Sequence, residues 1–416
     1  MLTLTVIWLV VLGLILLVWS SRHIELTRGP RSVLTLVPRP PEADRGGESA
    51  VAWPAVSMLI AAKDEQRVIE QAVRTAIAQD YSAVTGAEFE LLIINDRSSD
   101  ATESIVQRLM GELNADASNP RLRLLTIREL RPGWFGKNNA MDEGVRAARH
   151  DYLVFSDADC RFTDPSCVRV AVGTALREKA DLLSVLPELE RRSFWEAVVQ
   201  PAAGAVMIFW FHPGKVNNPS LPNAYANGAF MSMSRATYER LGGHSSVKTE
   251  VNEDVVLARR AKQMGLRLFV CPQAGLYVCH MYTGFRQIWR GWSRIFYGCF
   301  EKMRHLRVSL IFLLTFSLFP WFSFLAGLIW YLNAGWQTRV DAGWVMGLSL
   351  AIMLMQQTVI ARFYALSRVS PWWAPTYILG ACICTGMMVN AMVRKAGWTS
   401  TTWRGTVYRK DQVVGS

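Results

Sequence analysis

Asp157 and Asp159 stand one residue apart in the stretch DYLVFSDADC, residues 151–160. Two carboxylates that close repel unless a cation or hydrogen-bond donors sit among them. They follow an apolar run, Leu153 to Phe155, that reads as a buried strand. Two more apolar runs end in acids. Val56-Ser-Met-Leu-Ile-Ala61 leads into Ala62-Lys-Asp-Glu65, and Phe89-Glu-Leu-Leu-Ile-Ile94 leads into Asn95-Asp-Arg-Ser-Ser-Asp100. Each acid alone has a local reading, and Asp64 and Asp100 suit the start of a following helix. Together, Asp64, Glu65, Asp96, Asp157 and Asp159 point to a divalent cation. Mg2+ or Mn2+ prefers oxygen ligands and often binds through one or two carboxylates plus substrate phosphates. The acidic pair would hold the metal, and the metal would hold a diphosphate. The seven cysteines and six histidines form no C-x-x-C or H-E-x-x-H pattern, so the spacing gives no zinc site, and reduced thiols are expected.

These acids need a scaffold that delivers strand ends to one rim. Strand and helix patterns alternate from Val56 onward. Further strands are read at Leu122–Ile127, Tyr152–Ser156 and Asp181–Leu186, and helices at Glu65–Ala78, Ala101–Leu113, Gly136–Ala148 and Pro165–Lys179. Continuous apolar strands alternating with helices argue for an α/β fold with a mostly parallel sheet covered on both faces. Such sheets bind ligands at the carboxyl ends of their strands. Neither G-x-G-x-x-G after the first strand nor G-x-x-x-x-G-K-[ST] occurs, which leaves out the dinucleotide fingerprint and the P-loop.

Hydrophobic residues make up 51% of the 416, high for a soluble protein, and they are unevenly placed. Leu2 to Trp19 carries no charge and nears the roughly 20 residues that span a bilayer. It reads as a retained anchor, not a cleaved signal. Arg22, His23, Arg28 and Arg31 follow, so the next segment is expected in the cytoplasm. Val308–Leu332, Trp344–Leu366 and Trp372–Val393 read as three C-terminal transmembrane helices; Pro320 in the first is tolerated if neighbours satisfy the freed carbonyl. The expected order is an anchor over 1–21, a linker over 22–54, a catalytic domain over 55–306, a helical bundle over 307–393 and a basic tail over 394–416. Four spans place both termini outside, yet Arg394, Lys395, Arg404, Arg409 and Lys410 favour the inside. Phe194–Pro213 is also apolar. Glu196, Gln200 and Pro201, and its place within the domain, favour a membrane-contacting helix over a fifth span.

The segments IAAKDE, IINDRSSD, SDADC and NEDVVLARR, in this order and spacing, resemble family 2 glycosyltransferases of the GT-A fold over Val56 to Phe300. RPGWFGKNNAMDEGV, Arg131 to Val145, resembles the donor-side loop of membrane-bound members that glycosylate lipids, of the ceramide glucosyltransferase, hopanoid-associated and carotenoid glycosyltransferase types. The resemblance implies that Glu65 and Asp96 contact the nucleoside, with Asp96 on a uracil. It implies that Asp157 and Asp159 form the D-x-D, with Asp159 as direct metal ligand. It brings Lys137 to the donor and makes Asp254 the general base. The implied reaction is metal-dependent, inverting transfer of a sugar from a nucleotide sugar, UDP-linked by the same resemblance, to a hydroxyl or carboxyl of a membrane lipid. Glu253, Arg290 and Trp292 are expected on the acceptor side. Gln287-Ile-Trp-Arg-Gly-Trp resembles the Q-x-x-R-W of processive synthases, but Gly291 interrupts it; the same stretch also reads as an interfacial amphipathic helix. A processive polysaccharide synthase and a non-catalytic nucleotide-sugar-binding scaffold are the competing functions. The expected setting is a bacterial-type inner membrane, with no nucleic-acid partner.

Overall fold

A computed structural model of the chain describes residues 2–27, 33–41, 52–114, 121–300, 302–398, 401–403, 406–409 and 412–415. Arg28, Arg31, Arg404 and Lys410, which enter the topology reading, lie outside them, as does part of the expected linker. The chain forms two compact units. One is α/β and comprises Val33–Glu190 and Trp210–Met281. The other is mainly helical and gathers the N-terminal helix, Arg191–Phe209 and Tyr282–Lys410, while Asp411–Ser416 is grouped with the α/β unit.

The α/β unit is built on β1 (Val56–Ala62), β2 (Phe89–Asp96), β3 (Leu122–Ile127), β4 (Tyr152–Asp157), β5 (Cys160–Phe162), β6 (Leu182–Leu186), β7 (Glu188–Leu189), β8 (Phe230–Ser234), β9 (Leu268–Pro272) and β10 (Tyr277–Cys279). The main sheet has the order β3-β2-β1-β4-β8-β6-β9. β8 runs antiparallel to β4 and β6; the other pairings are parallel. Alternate β1 residues feed opposite faces: Met58 and Ile60 join one buried cluster, Leu59 the other. A strand covered on both faces must be apolar at every position, which is why these strands read as unbroken hydrophobic runs. A smaller sheet, β5-β10-β7, lies beside the main one in sequence and carries the residues after the D-x-D.

Register aligns the rim. Ala61 on β1 pairs with Asp157 on β4, and Ala62 pairs with Asn95 on β2. The first helix begins at Ile69 rather than Glu65. Asp64 takes φ +56°, and the amides of Val68 and Ile69 both reach the Glu65 carbonyl, so the chain turns before it coils. The expected linker is anchored to the α/β unit: Leu36 is buried, its amide donates to Pro272 O and its carbonyl accepts from Ala274 N, while Arg39 N donates to Ser166 Oγ and Arg39 O accepts from Arg169 Nη2.

Five helices among the described residues are long and apolar enough to cross a membrane, by length and composition: Leu4–Thr27, Phe194–Val216, Met303–Asn333, Thr338–Leu366 and Pro371–Lys395. Phe194–Val216 is the most buried of them. The boundary therefore differs from the expected 55–306 domain, because two segments within that range pack with the helices. A Cβ on Gly380 would lie 2.5 Å from Val198 O, so helix Phe194–Phe211 and helix Tyr377–Lys395 meet backbone to backbone there. Helix Phe285–Cys299 meets the same helix through Ser293 Oγ, which accepts from Asn390 Nδ2 at 3.1 Å.

Pro320 has the expected compensation. Proline removes the donor that would serve the carbonyl four residues earlier. That carbonyl, on Phe316, accepts from Trp19 Nε1 at 2.9 Å and Gln356 Nε2 at 3.4 Å. A π-helical turn over Leu313–Leu318 absorbs the misfit, and Gln356 also reaches Ser317 O at 3.2 Å.

Candidate functional site

Lys137 is the centre of the constellation. It sits in the first turn of helix Gly136–Ala147, where the macrodipole disfavours a cation. Carboxylates offset that cost: Nζ lies 2.7 Å from Asp157 Oδ1 and 2.8 Å from Glu253 Oε1. Burial works against the ammonium, but Asp157, Glu253 and Asp254 outweigh it and hold its pKa well above the ordinary lysine value. The helix is fixed from three directions. Arg131 stacks on the Trp134 ring at 3.8 Å and bonds Asn139 and Asp142. Gly133 supplies the φ +75° turn before it. Asn138 Nδ2 donates to Val247 O at 2.6 Å and Glu250 O at 2.9 Å, tying the Lys137 helix to the loop that leads into Glu253 and Asp254.

Asp254 lies in the first turn of helix Glu253–Gln263, so the acids suit the dipole there. Its Oδ2 accepts from Gly228 N at 2.7 Å and its Oδ1 from Val255 N at 2.8 Å. Burial and the adjoining Glu253 push Asp254 up to about 7, against the pull of Lys137 and of these two amides. A Cβ on Gly228 would stand 3.0 Å from Lys137 Nζ, 3.4 Å from Asp254 Oδ2 and 3.5 Å from Glu253 Oε1. Gly228 therefore lets backbone enter the centre of the charge cluster. The sequence reading missed it; a glycine in Asn227-Gly228-Ala229-Phe230, just ahead of β8, was the available signal.

Asp159 closes the turn after β4. Burial, then repulsion from Asp157, pushes it up to about 7; Glu65 adds to the push, while the Cys279 thiol and Lys137 pull back. Among the described residues no basic side chain forms an ion pair with Asp159, whereas Asp157 has Lys137. Two neighbouring carboxylates, one without a cation, are hard oxygen donors that fit Mg2+ or Mn2+. Glu65 reaches the same rim, its amide held by Thr102 Oγ1 at 2.8 Å. Asp64 is no local cap. Its Oδ1 accepts from Ser99 N at 2.7 Å and Ser99 Oγ at 3.1 Å, joining the loops after β1 and β2. Asp100 accepts from Thr102 N and Oγ1 at the start of helix Thr102–Leu113, and from Gln66 N across the loop.

Asp96 is buried at the end of β2 and bonded by Arg97 through Nε at 2.7 Å and Nη2 at 3.0 Å. Its Oδ2 occupies the place a Cβ on Gly136 would need, 2.7 Å away. So Asp96 meets the start of the helix that carries Lys137. Glu253, expected on the acceptor side, is buried with its carboxylate against Lys137. Arg290 and Trp292 belong to the helical unit, Arg290 exposed and Trp292 buried on the inner side of helix Phe285–Cys299. Gln287 serves its own helix: Oε1 accepts from Thr283 N at 2.9 Å and Thr283 Oγ1 at 3.0 Å. Gly291 is required there, because a Cβ would lie 2.2 Å from Tyr282 Oη.

The family described as "Glycosyl transferase family 21" matches residues 11–412. Among curated proteins, the 4,4'-diaponeurosporenoate glycosyltransferase of Staphylococcus aureus (strain MRSA252) is 23% identical over 247 residues, 58% of this chain. The match spans 60% of that protein's own length. Among solved structures, the mannosyltransferase PcManGT from Pyrobaculum calidifontis, in complex with GDP-Man and Mn2+, superposes with a TM-score of 0.51 at 17% identity. That alignment covers 95% of this chain and 98% of the other, and it supports the fold.

Proposed function

Since this chain belongs to glycosyl transferase family 21, we propose that its Lys137 cluster carries out an inverting transfer of a sugar from a nucleoside-diphosphate sugar to a membrane lipid. One observation carries this reading. A single ammonium, Lys137, bridges Asp157 of the D-x-D at 2.7 Å and Glu253, neighbour of Asp254, at 2.8 Å. The D-x-D and the residue next to the candidate base thus share one cation.

In this reading Glu65 and Asp96 take the nucleoside. Asp96 has its geometry preset by Arg97, so a base N–H meets a fixed acceptor. Asp159, with Asp157, would hold a divalent cation; when bound it supplies Lewis-acid stabilisation of the leaving diphosphate. Lys137 adds a second positive charge at the same place and leaves Asp157 for a phosphate oxygen as the donor seats. Asp254 takes the proton from the acceptor hydroxyl as that oxygen attacks the anomeric carbon. Its raised pKa suits a base working near neutrality. The Gly228 and Val255 amides hold its carboxylate in one orientation. One displacement from the face opposite the leaving group inverts the anomeric centre.

The membrane-lipid acceptor is supported by the five apolar helices and by the name of the staphylococcal relative. The chain on both sides of Arg191–Phe209, up to Glu190 and from Trp210 onward, belongs to the α/β unit. A crossing there would divide one compact unit between two sides of the bilayer. The helix is therefore proposed to lie against the membrane, with the α/β unit on the cytoplasmic side. The local roles of Gln287 and Gly291 speak against a processive synthase.

The test is purified protein with labelled UDP- and GDP-sugars, total lipid extract and Mn2+, with mass spectrometry of the product. A glycolipid of inverted anomeric configuration is expected. Hydrolysis or polymer without glycolipid would overturn the acceptor assignment.

A further inference from the structure

Cys160 opens β5 directly after Asp159, and Cys279 closes β10. The two strands are antiparallel, with Cys160 directly opposite Cys279. Both thiols are buried. Cys279 Sγ lies 3.2 Å from Asp159 Oδ1 and Cys160 Sγ lies 3.9 Å from the same oxygen. All three potential ligand atoms fall within 4.8 Å of one another. Cys160 Sγ also lies 3.6 Å from Ala229 O, and the Asp159 carbonyl accepts from His280 N at 3.1 Å. The cluster is thus set on two paired strands rather than on a loose turn.

We propose that Asp159, Cys160 and Cys279 form a binding site for a thiophilic divalent cation, Zn2+ or Cd2+. Zn2+ binds thiolate sulfur at about 2.3 Å and carboxylate oxygen at about 2.0–2.2 Å in tetrahedral geometry, so ligand atoms around one ion stand roughly 3.5 Å apart. The 3.2 and 3.9 Å separations bracket that value. Soft sulfur ligands select Zn2+ or Cd2+ over Mg2+, which an all-oxygen set prefers. On binding, one dication enters and two thiol protons leave to solvent, with no change in oxidation state. The fourth position stays open to water or to a phosphate oxygen. Neither cysteine lies in a spacing motif, and only the pairing of β5 with β10 brings them together.

The site shares Asp159 with the proposed donor cation. A thiophilic ion held there withdraws that carboxylate from Mg2+ or Mn2+ and inhibits transfer. This consequence rests on the function proposed above; the binding itself does not. The experiment is a Cd2+ titration of the full chain in detergent under a non-thiol reductant, following the thiolate-to-cadmium absorption band. The wild type is expected to bind one equivalent more than C160S/C279S, and Cys382→Ser, which alters an exposed thiol, is expected to keep that equivalent. If the double variant does not fold, Cys279→Ala alone serves, with the same loss expected. Equal stoichiometry and affinity in the wild type and the Cys160 or Cys279 variants would overturn the site. Mn2+-dependent binding of UDP or GDP by the wild type, measured in parallel, tests the donor reading separately. Nucleotide binding without the extra Cd2+ equivalent therefore sinks this inference alone.

Discussion

Replacing Lys137 by methionine should be among the most damaging single changes in the α/β unit. Lys137→Met keeps much of the side-chain volume and removes the charge. Charge centres about 4 Å apart attract by about 4 kcal/mol at an effective dielectric near 20. Two such partners, Asp157 and Glu253, are offset by the cost of burying the ammonium. Removing one member of a buried pair typically costs about 3–5 kcal/mol, because the other charge stays behind. Asp157 keeps 32% of its side-chain exposure and can be partly solvated, which favours the lower end, about 3 kcal/mol. Glu253 keeps only 4% and cannot be. At about 2–4 °C per kcal/mol for a unit of this size, the midpoint should fall by about 6–12 °C. The assay is thermal unfolding of the intact protein in detergent. In the K137M background, Glu253→Gln should recover more than half of the loss, because it removes the stranded charge. If K137M unfolds within about 1–2 °C of the wild type, or if E253Q deepens the loss, the buried ion-pair account is wrong.

Other outcomes follow from the same contacts. Burial and Glu253 raise Asp254 to about 7, with Lys137 opposing, and a base acts only when ionised. The rate should therefore fall as pH drops below about 7, and a pH–rate profile flat down to the ordinary carboxylate range would count against Asp254 as base. Asp254→Asn should cost about 10²–10⁴-fold in kcat with donor affinity retained, which single-turnover transfer and nucleotide binding separate. Gly228→Ala sets a Cβ 3.0 Å from Lys137 Nζ and should lower kcat by up to about 10²-fold through displacement of the cluster, with little change in the unfolding midpoint. Gln356→Leu withdraws the donor to Ser317 O, weakens the supply to Phe316 O and strips Trp321 Nε1 of its acceptor. It should destabilise the helical unit by about 1–3 kcal/mol in a detergent unfolding assay.

Much of the rim is legible in the sequence. Glu65, Asp96 and Asp157 end apolar runs, and parallel pairing brings those ends to one edge. Pro320 signalled a freed carbonyl, but Trp19 and Gln356, its donors, are 297 and 40 residues from Phe316 in sequence. The antiparallel β8 spans only the five residues Phe230–Ser234 and follows Trp210–Ala229, a stretch with no regular apolar period, so neither it nor Gly228 stands out in the sequence. Glu253 and Asp254 are adjacent in sequence, yet the helix turns the two carboxylates to different partners, Lys137 for one and the Gly228 amide for the other. Hydrophobicity marked Phe194–Phe211 as unusual. It could not show that Gly380 admits the helix to the bundle, since that contact depends on a missing Cβ 182 residues from Val198.

The central claim is that Asp157 and Asp159 bind a divalent cation on behalf of a nucleoside diphosphate. It is tested most directly by calorimetric titration of UDP and GDP into the purified protein with Mn2+, with chelator, and with Asp159→Asn. One nucleotide should bind with Mn2+, and chelation and Asp159→Asn should each weaken it by roughly tenfold or more, about 1.4 kcal/mol. Binding of the same strength in all three conditions would contradict the account.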